Sequence, residues 1–163
     1  MIQWCSASEL KWHQRYLELA RHVASWSRDP STKCGAVIIR PNKTIASVGF
    51  NGFPRGVSDA EELYLDREVK YSRVIHAEQN AILNASENLS RFSMYVWPPG
   101  HGPTCDRCAA HVIQAGITQV YHFHKFDAAH HARWGLAITR GLIMYGEAGV
   151  SVFSIAQETG ELV

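Results

Sequence analysis

Two short stretches of this 163-residue chain hold side chains able to act together: His76-Ala77-Glu78 and Cys105-Asp106-Arg107-Cys108. Cysteines three apart at a helix start lie on one side of its first turn, so both sulfurs reach one metal ion. A helix N-terminus and a bound metal each favour the thiolate, the form that ligates. A neutral histidine from another helix adds a third ligand. Three protein ligands leave the fourth position of a zinc ion for water, the arrangement of a catalytic site. Zinc lowers the pKa of that water from about 15.7 to about 7. Glu78, two residues beyond His76, is placed to move a proton between the water and a substrate nitrogen rather than to bind metal. A closed, purely structural site needs a fourth ligand, for which Cys34 and His101 are the candidates. Cys34 lies in an apolar run, where a buried free thiol is the simpler reading. His122 with His124, and His130 with His131, offer a second metal site or plain surface histidines.

The elements that must position these groups follow from pattern. Ser6 and Glu9 have capping-box spacing, and Leu10, Leu17, Ala20 and Ala24 recur at helical spacing, predicting a helix to about Trp26. Cys34 to Arg40 and Thr44 to Phe50 flank Pro41-Asn42-Lys43 and read as a β-hairpin. Asn51 to Asp59 is a glycine- and proline-rich loop, and Glu61 to Tyr71 a polar helical stretch. His76 to Ala85 reads as a buried helix with an alanine stripe, and Ser93 to Trp97 as a strand. A helix from Cys105 stops at Gly116, followed by a strand over Thr118 to Phe123. A helix over Trp134 to Tyr145 and a strand over Val150 to Ile155 complete the order. Helices alternating with strands after a hairpin imply a layered α/β sheet with ligands where strand ends meet helix starts. No repeat or low-complexity linker interrupts it, so residues 1–163 read as a single domain.

Composition narrows the class. Hydrophobic residues make up 46% and the net charge is +1, from 16 basic and 15 acidic side chains. That balance argues against a polynucleotide partner. No apolar run reaches the roughly 18 residues of a membrane span, and the N-terminus lacks a signal-peptide pattern, so a cytoplasmic location is expected. Four cysteines in that setting read as metal ligands or core residues rather than disulfides.

Three stretches bring in a resemblance: RDPSTKCGAVIIR, GFNGFPRGVSD, and HAEQNAI with CDRCAAHVIQAGI. Over roughly residues 20–125 the chain resembles the deoxycytidylate (dCMP) deaminases of the cytidine-deaminase superfamily, whose H-x-E and C-x-x-C signature it carries. The resemblance implies a three-layer α-β-α sandwich around a mixed five-stranded sheet. It implies a hydrolase of cyclic amidines in which zinc-activated water attacks C4 of cytosine, ammonia leaves, and dUMP for dTTP synthesis results. His76, Cys105 and Cys108 become the Zn2+ ligands and Glu78 the proton shuttle. Asn51 is matched to the sugar hydroxyl, Phe126 to the pyrimidine, and Arg28, Ser31 and Lys33 to the 5′ phosphate. Asn51, Gly52 and Arg55 fall in a loop that in relatives contributes to a site where dCTP activates and dTTP inhibits. Relatives usually assemble as homohexamers or other homo-oligomers, and Trp4, Trp12 and Trp134 suit a subunit surface. Other substrates of the same site are a nucleoside, a free base, a riboflavin-pathway pyrimidine or a tRNA adenosine. A non-catalytic zinc-stabilised binding module is the alternative of a different class. Three features depart from the pattern: Thr104 in place of a proline, a long loop over WPPGHGPTC, and Phe50 in place of a tyrosine.

Overall fold

The computed structural model describes residues 7–98, 102–125 and 127–156. Helix α1 (Ala7–Ala24) buries Tyr16, Leu17, Ala20, Val23 and Ala24 on one face, at the spacing the sequence shows. Strands β1 (Gly35–Ile39) and β2 (Ile45–Phe50) form the expected antiparallel hairpin, with Val37 opposite Val48. The Lys43 N–H donates to the Arg40 carbonyl at 2.8 Å, and Lys43 takes φ 70° to close the turn. Strand β3 (Ser93–Trp97) runs antiparallel on the other side of β1. Strands β4 (Gln119–His124) and β5 (Ser151–Ala156) continue in parallel, giving the order β2-β1-β3-β4-β5.

Strand alternation sends Ala36, Ile38, Met94, Val96 and Val120 to one face of this mixed sheet. Val37, Ile39, Tyr95, Tyr121 and Phe123 go to the other, where α1 packs. Helices α4 (Ala77–Asn84), α5 (Asp106–Gln114) and α6 (Ala128–Ala148) cover the first face through Ala81, Val112 and Tyr145. A sheet with helices on both faces explains why every residue of β1 is buried. Two glycines allow the close approach. A Cβ on Gly35 would lie 2.1 Å from the Ala20 carbonyl of α1, and one on Gly49 would lie 2.2 Å from the Ala81 nitrogen of α4. The three-layer α-β-α sandwich expected from the sequence is the observed architecture.

Several element bounds differ from the sequence reading by a few residues, and three of the differences bear on the site. The stretch after the glycine-rich loop is two helices, α2 (Glu61–Leu65) and α3 (Arg67–Arg73), because Asp66 interrupts it and caps the second. Its carboxylate accepts from the Glu68 and Val69 amides at 3.0 Å each. Helix α6 starts at Ala128 rather than at Trp134, since Asp127 accepts from the His130 amide at 2.9 Å. Cys34 precedes β1 instead of lying within it. Trp4, His101 and Phe126 fall outside the described residues.

Candidate active site

The site lies at the end of the sheet where β3 finishes beside the start of β1, with the N-termini of α4 and α5 converging on it. His76 is the N-cap of α4 and Cys105 the N-cap of α5, so both stand where helical geometry begins. The His76 amide donates to the Gln79 side chain at 3.3 Å, which fixes the entry to α4. Cys108, one turn into α5, is fully buried beneath the pair. The His76 Nδ1 is 3.3 Å from the Cys108 sulfur and 3.6 Å from that of Cys105. All three donor atoms lie within 4.8 Å of one another.

These distances suit zinc. A tetrahedral ion with Zn–N near 2.0 Å and Zn–S near 2.3 Å spans an N–S edge of about 3.5 Å. The three donors perturb one another's protonation. The Cys105 thiol is pulled down to about 4, mainly by its hydrogen bond with Cys108, against burial and with help from His76. Cys108 is pushed up by that same bond, by burial and by the charge of Glu78. His76 is raised by its bond to Cys105, against burial. A divalent cation would bind the sulfurs as thiolates and release the protons they carry. Among the described residues no other histidine, cysteine or acid joins this group, and Cys34, though on the nearby cavity wall, is outside it. Burial and the charge of Glu78 raise the Cys34 thiol well above the cysteine range, which keeps it protonated.

Glu78, in the first turn of α4, lines the same cavity of about 140 Å³ as His76 and Cys105. Burial raises its carboxyl above the ordinary glutamate value; His76 opposes this and Cys105 adds to it. A carboxyl shifted toward neutrality suits a group that must both take and return a proton.

The other sequence-derived candidates divide into two groups. Asn51 and Ser31 line the cavity. Asn51 is buried, and its amide clasps the segment before β1. It accepts from the Cys34 amide at 2.7 Å and donates to the Thr32 carbonyl at 2.9 Å. Arg28, Lys33, Gly52 and Arg55 lie off the cavity wall. Arg28 is exposed and pairs with Asp59 at 3.5 Å, while Lys33 donates to the Ser27 carbonyl at 2.5 Å. Gly52 bridges to Ile75, and Arg55 donates to the Asn84 side chain at 2.8 Å. His122 contacts the Phe123 carbonyl at 3.0 Å, and burial lowers it to about 4, leaving it neutral. His124 contacts Ser154 at 3.3 Å.

Sequence reasoning missed Asp29, Lys70 and Arg133, all on the cavity wall. Asp29 is 2% exposed and holds Lys70 at 2.7 Å. Burial alone raises its carboxyl, but Lys70, Ser31 and Thr32 together hold it below the ordinary aspartate value. Arg133 donates to the Tyr71 hydroxyl and lies over the rings of Tyr71 and Trp134. The capping sequence around Asp127, which starts α6 early, was the available signal for Arg133.

Comparison with known proteins agrees with this geometry. The model of the cytidine and deoxycytidylate deaminase zinc-binding region matches residues 10–124. An uncharacterized deaminase in the luxG 3′ region of Aliivibrio fischeri is 45% identical over 142 residues, 87% of this chain and 92% of that protein. Human deoxycytidylate deaminase is 33% identical over 168 residues, 94% of this chain and 85% of that one. The crystal structure of cyanophage S-TIM5 dCMP deaminase in complex with dCMP and dUMP shares the fold, with a TM-score of 0.67 at 24% identity. That alignment covers 93% of this chain and all of that one, 100%. With relatives matched along most of their length and the metal donors gathered at two helix starts, the chain belongs to the cytidine and deoxycytidylate deaminase family, and His76, Cys105 and Cys108 are the group able to hold its zinc.

Proposed function

We propose that the protein hydrolyses dCMP to dUMP and ammonia. The observation that carries this reading is Glu78 on the wall of the cavity shared with His76 and Cys105. His76, Cys105 and Cys108 would hold the zinc, which would supply a water acidic enough to ionise near neutral pH. Glu78, on the cavity wall with its carboxyl raised, is the group placed to hold a proton and deliver it to the amino nitrogen on C4. A C–O bond forms at C4, the C–N bond breaks, and ammonia leaves.

Asn51 and Ser31 on the cavity wall support contacts with the sugar and phosphate. The cations on that wall are Lys70 and Arg133. Lys70 is committed to Asp29, whereas Arg133 has no carboxylate partner among the described residues. Arg133 is therefore the better anchor for a 5′ phosphate than Arg28 or Lys33. The proposal keeps an effector site for dCTP and dTTP at Asn51, Gly52 and Arg55, of which Arg55 is exposed and Asn51 also lines the cavity. Exposed Leu136, Leu142 and Ile143 on α6 support a homohexamer or other homo-oligomer. No helix among the described residues is long and apolar enough to cross a membrane.

The test is ammonia release from dCMP, deoxycytidine, cytidine, dCTP and a tRNA anticodon stem under identical conditions. The highest kcat/KM is expected for dCMP. A higher value for any of the others rejects the substrate assignment while leaving the deaminase chemistry intact.

A further inference from the structure

The residue before the first cysteine ligand is held by a contact that the catalytic reading leaves unexplained. Thr104 is 3% exposed and Tyr145 of α6 is 1% exposed, and their hydroxyls share a hydrogen bond of 2.8 Å across 41 residues of chain. Helix α6 presses directly on this turn: a Cβ on Gly141 would lie 3.3 Å from the Thr104 carbonyl and from the Ala109 Cβ. Thr104 also lines the cavity beside Cys105. A proline at position 104 would fix φ through its ring. Threonine keeps that freedom and needs an outside tie to hold the chain where Cys105 caps α5. Tyr145 is itself sunk in the core with Val112, Met94 and Ala109, so it is a rigid anchor. Two buried hydroxyls that satisfy each other are also sensitive to loss of either one, because the survivor is left without a partner.

We propose that Tyr145 is a positioning residue for the metal site: through Thr104 it holds Cys105 at the distance from His76 and Cys108 that zinc requires. Helix α6 is then part of the metal-binding apparatus although it supplies no ligand. The inference rests on zinc binding by the His-Cys-Cys group but not on the identity of the substrate.

The test measures zinc affinity by competition with a chromophoric chelator, alongside melting of the zinc-loaded and zinc-free forms. Thr104→Ser keeps the hydroxyl and should match the parent within about twofold. Thr104→Val and Tyr145→Phe should each weaken zinc binding about tenfold, the lower end of what outer partners of metal ligands contribute. The rise in Tm on adding zinc should shrink in both. A merely structural hydrogen bond would lower both melting points together and leave zinc affinity unchanged, and that result overturns the proposal. Equal affinity in the serine and valine variants overturns it even where the tyrosine variant does not fold. A parent protein that binds no zinc would instead remove the metal reading itself.

Discussion

Replacing Lys70 with methionine is expected to cost about 3 kcal/mol of stability at pH 7. The lysine Nζ lies 2.7 and 2.8 Å from the two oxygens of Asp29, and the carboxylate is only 2% exposed. Removing one partner of a buried ion pair costs about 3–5 kcal/mol, because the other charge stays buried. The lower end applies here, since Asp29 keeps its bonds from the Ser31 amide at 2.9 Å and the Ser31 hydroxyl at 2.8 Å. In a chain of this size that corresponds to a fall in Tm of about 6–12 °C. The pH dependence gives a sharper check. Asp29 is held below its ordinary value in the fold, so its contribution is full above about pH 4 and is lost as pH falls through the folded value. Without Lys70 the largest influence opposing burial is gone and the folded value rises, so protonation relieves the variant. The gap in Tm between parent and variant is therefore widest at pH 7 and narrows toward pH 4. Thermal melts at both pH values measure it. A gap under about 2 °C at pH 7, or one that widens on acidification, refutes the reasoning.

Glu78→Gln keeps the size of the side chain but cannot carry the proton; kcat should fall by about 10²–10⁴ while zinc content stays at that of the parent. Full activity in that variant would sink the mechanism. Gly49→Ala forces a methyl into the Ala81 backbone and should lower the urea midpoint by the equivalent of about 1–3 kcal/mol, so an unchanged midpoint would contradict the packing of α4 on β2. Arg133→Ala should raise KM for dCMP about tenfold more than for deoxycytidine, as expected for loss of a charged hydrogen bond. An equal effect on both substrates would remove Arg133 from phosphate binding.

The metal donors were legible in the sequence because local geometry decides them. A residue at an N-cap and another one turn later must share a side of the helix, whatever the rest of the chain does. The strands were legible for a related reason: apolar runs of β-branched residues such as Gly35–Ile39 suit a sheet covered on both faces. The start of α6 was not, because His130, His131 and Arg133 mask the apolar periodicity, and only the Asp127 cap marks the true beginning. The break at Asp66 escaped for the same reason, one carboxylate ending one polar helix and starting another.

The cavity wall facing the metal is set differently, and Asp29 shows why spacing could not find it. Within RDPSTK, Arg28, Ser31 and Lys33 look like ligands for a phosphate, yet the structure turns Arg28 toward Asp59 and Lys33 toward the Ser27 carbonyl. The central carboxylate is the one that is buried. It is tolerated there because donors converge on it from three separate segments: Ser31 and Thr32 beside it, Asn51 after β2 at 3.4 Å, and Lys70 on α3. Losing any one donor leaves a charge with fewer partners in a poorly solvated place, so the three segments are held together as a unit. Asn51 and Lys70 lie 22 and 41 residues along the chain from Asp29, beyond the reach of any helical or strand period. The chemistry is thus written locally at two helix starts, while the shape of the cavity opposite depends on one aspartate whose partners only the fold brings within reach.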